Sequence, residues 1–200
     1  MPTASRAKHK FCRRIGQCLW GDPKCPSVKR PYAAGPHGKG RRSKLSTYGE
    51  LLMEKQKLRN YYAISEKQLR IAFAKAKSGE GQTHEKLFRS LEQRLDAMVY
   101  RAGFAPTIFA AKQIVNHGHV LVDGKRVDRA SCLVKEGQVI SIDAQKSPAI
   151  AEQAKKNNIT APAYLEVDLD NLKATLVRAP QVEEIPVAVK IMSVIEYYAR

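Results

Sequence analysis

Four side chains near the start of the chain carry soft, metal-ligating chemistry. They are spaced as His9-x2-Cys12-x5-Cys18-x6-Cys25. One imidazole and three thiolates make an acceptable ligand set for zinc. Only His9 and Cys12 form a tight pair, so the spacing is looser than in most structural zinc sites. Arg13, Arg14 and Lys24 lie in the same stretch, which therefore also reads as a cationic arm. Nothing else in the sequence asks for a cofactor. The expectation is no resident cofactor and no assigned metal site, with zinc at His9, Cys12, Cys18 and Cys25 as the open alternative. No catalytic residue is expected either, because there is no Ser/His/Asp set, no paired carboxylates and no phosphate cradle that needs an active site. The glycines of GPHGKG follow no strand, which a phosphate-binding loop requires. His117 and His119 flank Gly118 without a nearby cysteine and read as turn residues or polyanion contacts. Cys132 reads as a small buried apolar residue.

The charge that must surround these residues is uneven. The 200 residues carry a net charge of +16, of which residues 1–48 hold +11 and residues 148–200 hold −1. Such a gradient implies a basic N-terminal arm whose partner is a polyanion. No apolar run is long enough to span a bilayer, and the basic N-terminus leads into no apolar stretch of the secretory kind. No membrane association is expected, and no small-molecule substrate. Four cysteines, one of them distant, make a poor disulfide framework, which suits a reducing cytoplasm.

Proline and glycine are dense through residues 1–44, which predicts an extended, loop-rich arm. Its end, Gly35 to Lys44, offers Lys39, Arg41, Arg42 and Lys44 to a phosphate backbone, with Arg30 and His37 nearby. A capping box at Thr47-x-x-Glu50 opens a helix bearing Leu51, Leu52, Leu58, Tyr61 and Tyr62. Ser65-x-x-Gln68 opens a second, closed at Ser78-Gly79. Leu87, Leu91, Leu95 and Met98 predict one continuous third helix from about Thr83 to Ala102. Lys55, Lys57, Arg59, Lys67 and Arg70 form a basic surface on the first two, although Glu54 with Lys57 and Glu66 with Arg70 have intrahelical pairing distances. Thr107 caps a short helix that ends at His117-Gly118. Asp123-Gly124 between alternating segments then predicts a two-residue hairpin. Val139 to Ile142, Tyr164 to Leu169 and Ala174 to Arg178 read as strands, and residues 145–162 as a helix or loose connection. The apolar tail from Pro186 to Tyr198 needs a surface and is expected to return onto the earlier helices. Lys112, Gln113, His117, Lys125 and Arg126 cluster on the short helix and hairpin, where donors can converge on phosphates and 2′-hydroxyls of folded RNA.

Two long stretches carry a resemblance. LEQRLDAMVYRAGFA (Leu91 to Ala105) and AAKQIVNHGHVLVDGKRVD (Ala110 to Asp128) resemble the RNA-binding module named after small-subunit ribosomal protein number four. RPYAAGPHG, then STYGELLMEKQKLRNYYAISEKQLR, then YLEVD and VIEYYAR, resemble the remainder of the bacterial-type family of that protein. The sequence departs from the family pattern at Ala97, where RLD is usually followed by Asn, and at Ile108, often Arg. It departs again at Ile191, commonly an acid, and at Ala199, commonly Ser.

The resemblance implies an α+β protein in which a basic extended arm (1–44) precedes a helical domain (45–91 with 180–200). That helical domain carries an inserted domain (92–179) of helices and antiparallel strands, with the RNA-binding module at about 92–147. It implies a non-enzymatic structural constituent of the small ribosomal subunit, a primary rRNA binder that nucleates assembly of the subunit body and influences decoding accuracy. Implied partners are small-subunit rRNA and the neighbouring proteins numbered five and twelve, in the cytoplasm. Zinc-binding family members use four N-terminal cysteines with a C-x-x-C opening, and zinc-free members also exist. Pseudouridine synthases that carry the same module use the Asp of a G-R-L-D motif. Here Gln93 replaces the glycine, so Asp96 is expected to serve as an ion pair or cap. The alternative function is an extra-ribosomal RNA-binding factor, zinc-dependent or not.

Overall fold

The computed structural model describes residues 8–40, 44–144, 146–157 and 160–199. The chain divides into two compact units, Met1–Tyr61 with Val187–Arg200, and Tyr62–Pro186.

In the first unit the arm is less extended than its composition suggests. It holds two short helices, α1 (Lys10–Ile15) and α2 (Pro26–Lys29). α1 closes at Gly16, whose φ of 85° is the left-handed conformation that ends helices. α3 (Thr47–Tyr61) follows. Its cap is Ser46 rather than the expected Thr47: the Gly49 N–H donates to Ser46 Oγ at 3.2 Å, and Thr47 is already helical. The C-terminal α9 (Ile191–Ala199) returns onto α3 and buries Val194. Tyr48 and Tyr197 pair through their hydroxyls at 3.4 Å, and the Lys190 N–H donates to Glu54 Oε2 at 2.9 Å. The apolar tail thus finds the surface it needs.

The second unit opens with α4 (Glu66–Ser78), whose Ser65/Gln68 capping box forms in both directions, at 3.1 and 3.2 Å. The helix expected from Thr83 to Ala102 is broken into α5 (Thr83–Glu92) and α6 (Leu95–Arg101). The break lies at Gln93-Arg94, where ψ of Arg94 is 141°. Tertiary hydrogen bonds replace the helical ones there. The Val134 N–H donates to the Gln93 carbonyl at 2.8 Å, Leu95 N–H to Cys132 at 2.8 Å and Asp96 N–H to Ala130 at 3.2 Å. The expected helical segments are therefore distributed, with α3 and α9 in the first unit and α4 and α5 in the second.

Thr107 caps α7 (Ile108–Asn116), accepting from the Ala110 N–H at 3.1 Å. β1 (Val120–Val122) and β2 (Lys125–Arg126) form the hairpin, with Asp123 and Gly124 both at positive φ. β3 (Val139–Ile142), α8 (Pro148–Lys156), β4 (Leu165–Asp168) and β5 (Lys173–Leu176) complete the unit, with a 3₁₀ turn at Val182–Glu184. The strands make one antiparallel sheet in the order β2-β1-β3-β5-β4. Leu95, Met98, Phe104, Ala111, Val115, Val120, Ile140 and Leu176 pack in a single apolar core between this sheet and α6–α7. Burying the larger of these side chains supplies roughly 1.5–3 kcal/mol each, so the core fixes where α7 and the hairpin stand.

Candidate nucleic-acid interface

Two buried ion-pair networks hold the module in place. Glu92, fully buried at the end of α5, accepts from Arg101 Nη2 at 2.6 Å and Nε at 3.1 Å. It also accepts from the Tyr62 hydroxyl at 2.7 Å and the Tyr164 hydroxyl at 3.3 Å. In the second network Arg94 grips Asp96 with two bonds, at 2.8 and 3.0 Å, while Asp96 Oδ1 also accepts the Ala97 N–H. Asp96 has 0% exposure, and of the two expected roles it takes the ion pair; it lies within α6, which has no side-chain cap. Every oxygen of that carboxylate is committed to the fold.

Lys112 joins the second network. Its ammonium lies 3.5 Å from Asp96 Oδ2 and donates to the Ala63 carbonyl at 2.5 Å. Burial holds its pKa below the usual lysine value, against the pull of Asp96 in the other direction. The Lys112 side chain is thus engaged inside the protein. The other expected residues of this unit differ: Gln113 on α7, His117 just after it, and Lys125 and Arg126 on the hairpin all reach solvent. Arg126 Nη2 lies 3.4 Å from the His117 carbonyl, which brings hairpin and helix end together. Arg129, also exposed, follows the hairpin. It is not among the expected contacts, although the spacing Lys125-Arg126-x-x-Arg129 extends the same basic run.

Gly118 makes that approach possible. Its φ is +73°, and a Cβ built there would stand 2.2 Å from Arg126 Nε. Gly118→Ala is expected to destabilise the chain by roughly 1–2 kcal/mol through the left-handed backbone and to displace the Arg126 guanidinium. A thermal melt and an rRNA titration on the same variant check both effects.

His119 bonds Ser147 through Nδ1, and its ring centroid lies 6.1 Å from that of His117. The pair belongs to a turn, in line with the expectation.

The other expected contacts scatter over both units. On the arm Arg14, Arg30, His37 and Lys39 are exposed, and Lys44 is exposed just before α3. Arg13 instead braces the arm, with Nε 3.1 Å from the Tyr32 carbonyl and Nη2 3.2 Å from that of Ala33. Arg41 and Arg42 lie outside the described residues. Gly38 is required by packing: a Cβ there would meet the Ala33 carbonyl oxygen at 1.9 Å. On α3, Lys55 is 4% exposed with its ammonium 4.6 Å from the Tyr197 ring centroid. Lys57 pairs with Glu54 at 2.5 Å, and Arg59 is half-buried. Lys67 and Arg70 are exposed on α4.

The arm also gathers the soft ligands. One ligand atom from each of His9, Cys12, Cys18 and Cys25 lies within 4.8 Å of the others, the one set of three or more candidate metal ligands among the described residues. Cys25 Sγ stands 3.1 Å from His9 Nδ1. Cys12 and Cys25 are buried. Burial pushes the Cys12 thiol up to about 12. At Cys25 burial also acts upward, but hydrogen bonds from Ser27, Cys18 and Cys12 prevail and hold the thiol low. Tetrahedral coordination with bonds of about 2.3 Å places ligand atoms about 3.8 Å apart, so this donor set fits a zinc ion.

A positively charged arm and a helix–hairpin unit fixed by buried ion pairs, with Gln113, His117, Lys125 and Arg126 exposed on it, have the character of an RNA-binding protein. Residues 4–92 match the ribosomal protein S4/S9 N-terminal domain, and residues 93–140 match the S4 domain. Over the full length of both chains, the sequence is 46% identical to small ribosomal subunit protein uS4 of Ruegeria sp. (strain TM1040) and of Paracoccus denitrificans (strain Pd 1222). It is 46% identical to that of Rhodospirillum rubrum over 97% of each chain. The chain belongs to the uS4 family of small-subunit ribosomal proteins.

Proposed function

We propose that this chain is a structural constituent of the small ribosomal subunit that binds small-subunit rRNA directly. As a primary binder it nucleates assembly of the subunit body and contributes to translational accuracy. The observation that supports this best is the exposure of Gln113, His117, Lys125 and Arg126 on a helix end and hairpin that Arg126 joins, in a chain alike to uS4 proteins from end to end. The work is non-catalytic. Cationic side chains of the arm, α4 and the module neutralise phosphates, and the rigid core holds them at fixed spacing so that several rRNA helices are locked where they meet. Residues 45–91 with 180–200, and the segment 92–179 inserted between them, serve as supports for two separate contact surfaces. The neighbouring proteins numbered five and twelve are its protein partners, and its place is in cytoplasmic ribosomes.

The experiment is sedimentation at moderate salt. The chain should travel stoichiometrically with small subunits. Recovery at the top of the gradient would refute the ribosomal role.

His9, Cys12, Cys18 and Cys25 hold zinc in this reading. The metal supplies a cross-link among residues 9 to 25 and no reaction chemistry. Purified protein is expected to carry about one equivalent. Chelation should expose residues 8–40 to protease while leaving the melting of residues 62–186 unchanged. Less than about a tenth of an equivalent would rule out a zinc site.

A further inference from the structure

Trp20, the chain's only tryptophan, touches two things that are remote in sequence. Its ring stands edge-on to that of His9, with centroids 5.8 Å apart at 89°. Its Nε1–H donates to the carbonyl of Tyr61 at 3.1 Å. Tyr61 is the last residue of α3, where backbone carbonyls no longer have partners within the helix. The residues just before Trp20 are tied to the soft-ligand cluster as well. Cys18 is one of its four members, and the Leu19 backbone hydrogen-bonds the Cys12 thiol. His9 turns Nδ1 toward Cys25 Sγ while its ring packs against Trp20, so the same imidazole touches both the cluster and the indole.

We propose that Trp20 is a positioning residue that transmits the state of the His9/Cys12/Cys18/Cys25 cluster to the carboxyl end of α3. The inference rests on the metal reading given above. A divalent metal gathers residues 9 to 25, and that fixes the Cys18-Leu19-Trp20 segment. The indole N–H is then held on the Tyr61 carbonyl, and the last turn of α3 is secured. In return the indole ring, packed at right angles to the His9 ring, limits its rotation. Metal loading thereby sets whether the arm and α3, with its Arg59, present one surface or two loosely joined ones.

Cobalt(II) titration of the metal-free full chain separates the metal site from the relay. Thiolate-to-cobalt absorption reports loading, and hydrogen exchange of the amides from Leu58 to Tyr61 reports the end of α3. Absorption should saturate at one equivalent, with exchange at those amides slowing as it does and the Trp20 emission shifting in parallel. Trp20→Phe keeps an aromatic ring and loses the N–H donor. It should still show the thiolate bands at one equivalent, and loading should no longer slow exchange. Loading of the natural chain without any change in exchange at Leu58–Tyr61 would overturn the relay while leaving the metal site standing. Protection that persists in Trp20→Phe would also overturn it. Absence of thiolate–cobalt bands would overturn the metal reading and the relay together.

Discussion

Glu92→Ala is expected to cost the chain about 3–5 kcal/mol of unfolding free energy. The carboxylate is fully buried and serves Arg101, Tyr62 and Tyr164 at once. Those residues come from the end of α6, the segment before α4 and the segment before β4. The pair is not stabilising merely because it is ionic, since desolvating two charges can outweigh their attraction. Its weight comes from asymmetry. Once the chain has buried a guanidinium at this point, removing the carboxylate leaves that charge without its counter-ion and two phenols without their acceptor. Glu92→Gln keeps the shape and one acceptor oxygen, so a smaller loss of roughly 1–3 kcal/mol is expected. Urea unfolding followed by far-ultraviolet circular dichroism measures both variants. A loss below about 1 kcal/mol for Glu92→Ala would show that the network is dispensable. The single tryptophan lies in the other compact unit, so its fluorescence is the wrong probe here.

The second large effect concerns binding. Lys125→Ala with Arg126→Ala should weaken rRNA binding roughly tenfold or more, because hydrogen bonds to charged groups contribute about 1.5–3 kcal/mol each. It should also lower the slope of log K against log salt by about 1 for each phosphate that is no longer neutralised. Lys112→Met is the contrasting variant. A lysine that reached phosphate would lower that slope too. Lys112 instead faces Asp96 and the Ala63 carbonyl, so its replacement should leave the slope as it was. Stability should then respond to pH in a definite sense. Folding holds the Lys112 ammonium below its ordinary pKa of 10.5, so the folded state binds fewer protons there than the unfolded chain. That cost of charge is borne fully at neutral pH and relieved as pH rises toward 10.5, which gives the natural chain an alkaline gain that Lys112→Met lacks.

Much of the architecture was legible in local signals. The Ser65/Gln68 box, the Thr107 cap and the Asp123-Gly124 turn each stand where the residue types require them. All three depend on chemistry within a few residues, which a sequence displays directly. The break between α5 and α6 was hidden because Leu87, Leu91, Leu95 and Met98 keep helical spacing straight across it. Only the hydrogen bonds from residues 130–134 reveal it. The short helices of the arm were hidden for a related reason. Runs of six and four residues cannot hold themselves in water, and what gathers them is a cluster of side chains spread over 17 residues, from His9 to Cys25.

The candidate interface divides the same way. Residue type marks a lysine as cationic but is silent on whether it is buried. Lys125 and Lys39 reach solvent, whereas Lys55 lies under Tyr197 and Lys112 beside Asp96. Lys55 shares α3 with the basic Lys57 and Arg59, and Lys112 is the one charged residue of α7, so neither setting tells from charge alone that the side chain is engaged within the protein. Their separation needs the partner element, α9 for Lys55 and α6 for Lys112.

Hydroxyl-radical footprinting of the purified chain on naked small-subunit rRNA tests the primary-binder role most directly. A primary rRNA-binding constituent should protect a discrete set of nucleotides where several helices meet, at stoichiometric protein and moderate salt, with Lys125→Ala plus Arg126→Ala erasing part of that set. Uniform weak protection that salt removes evenly, or no protection, would contradict it.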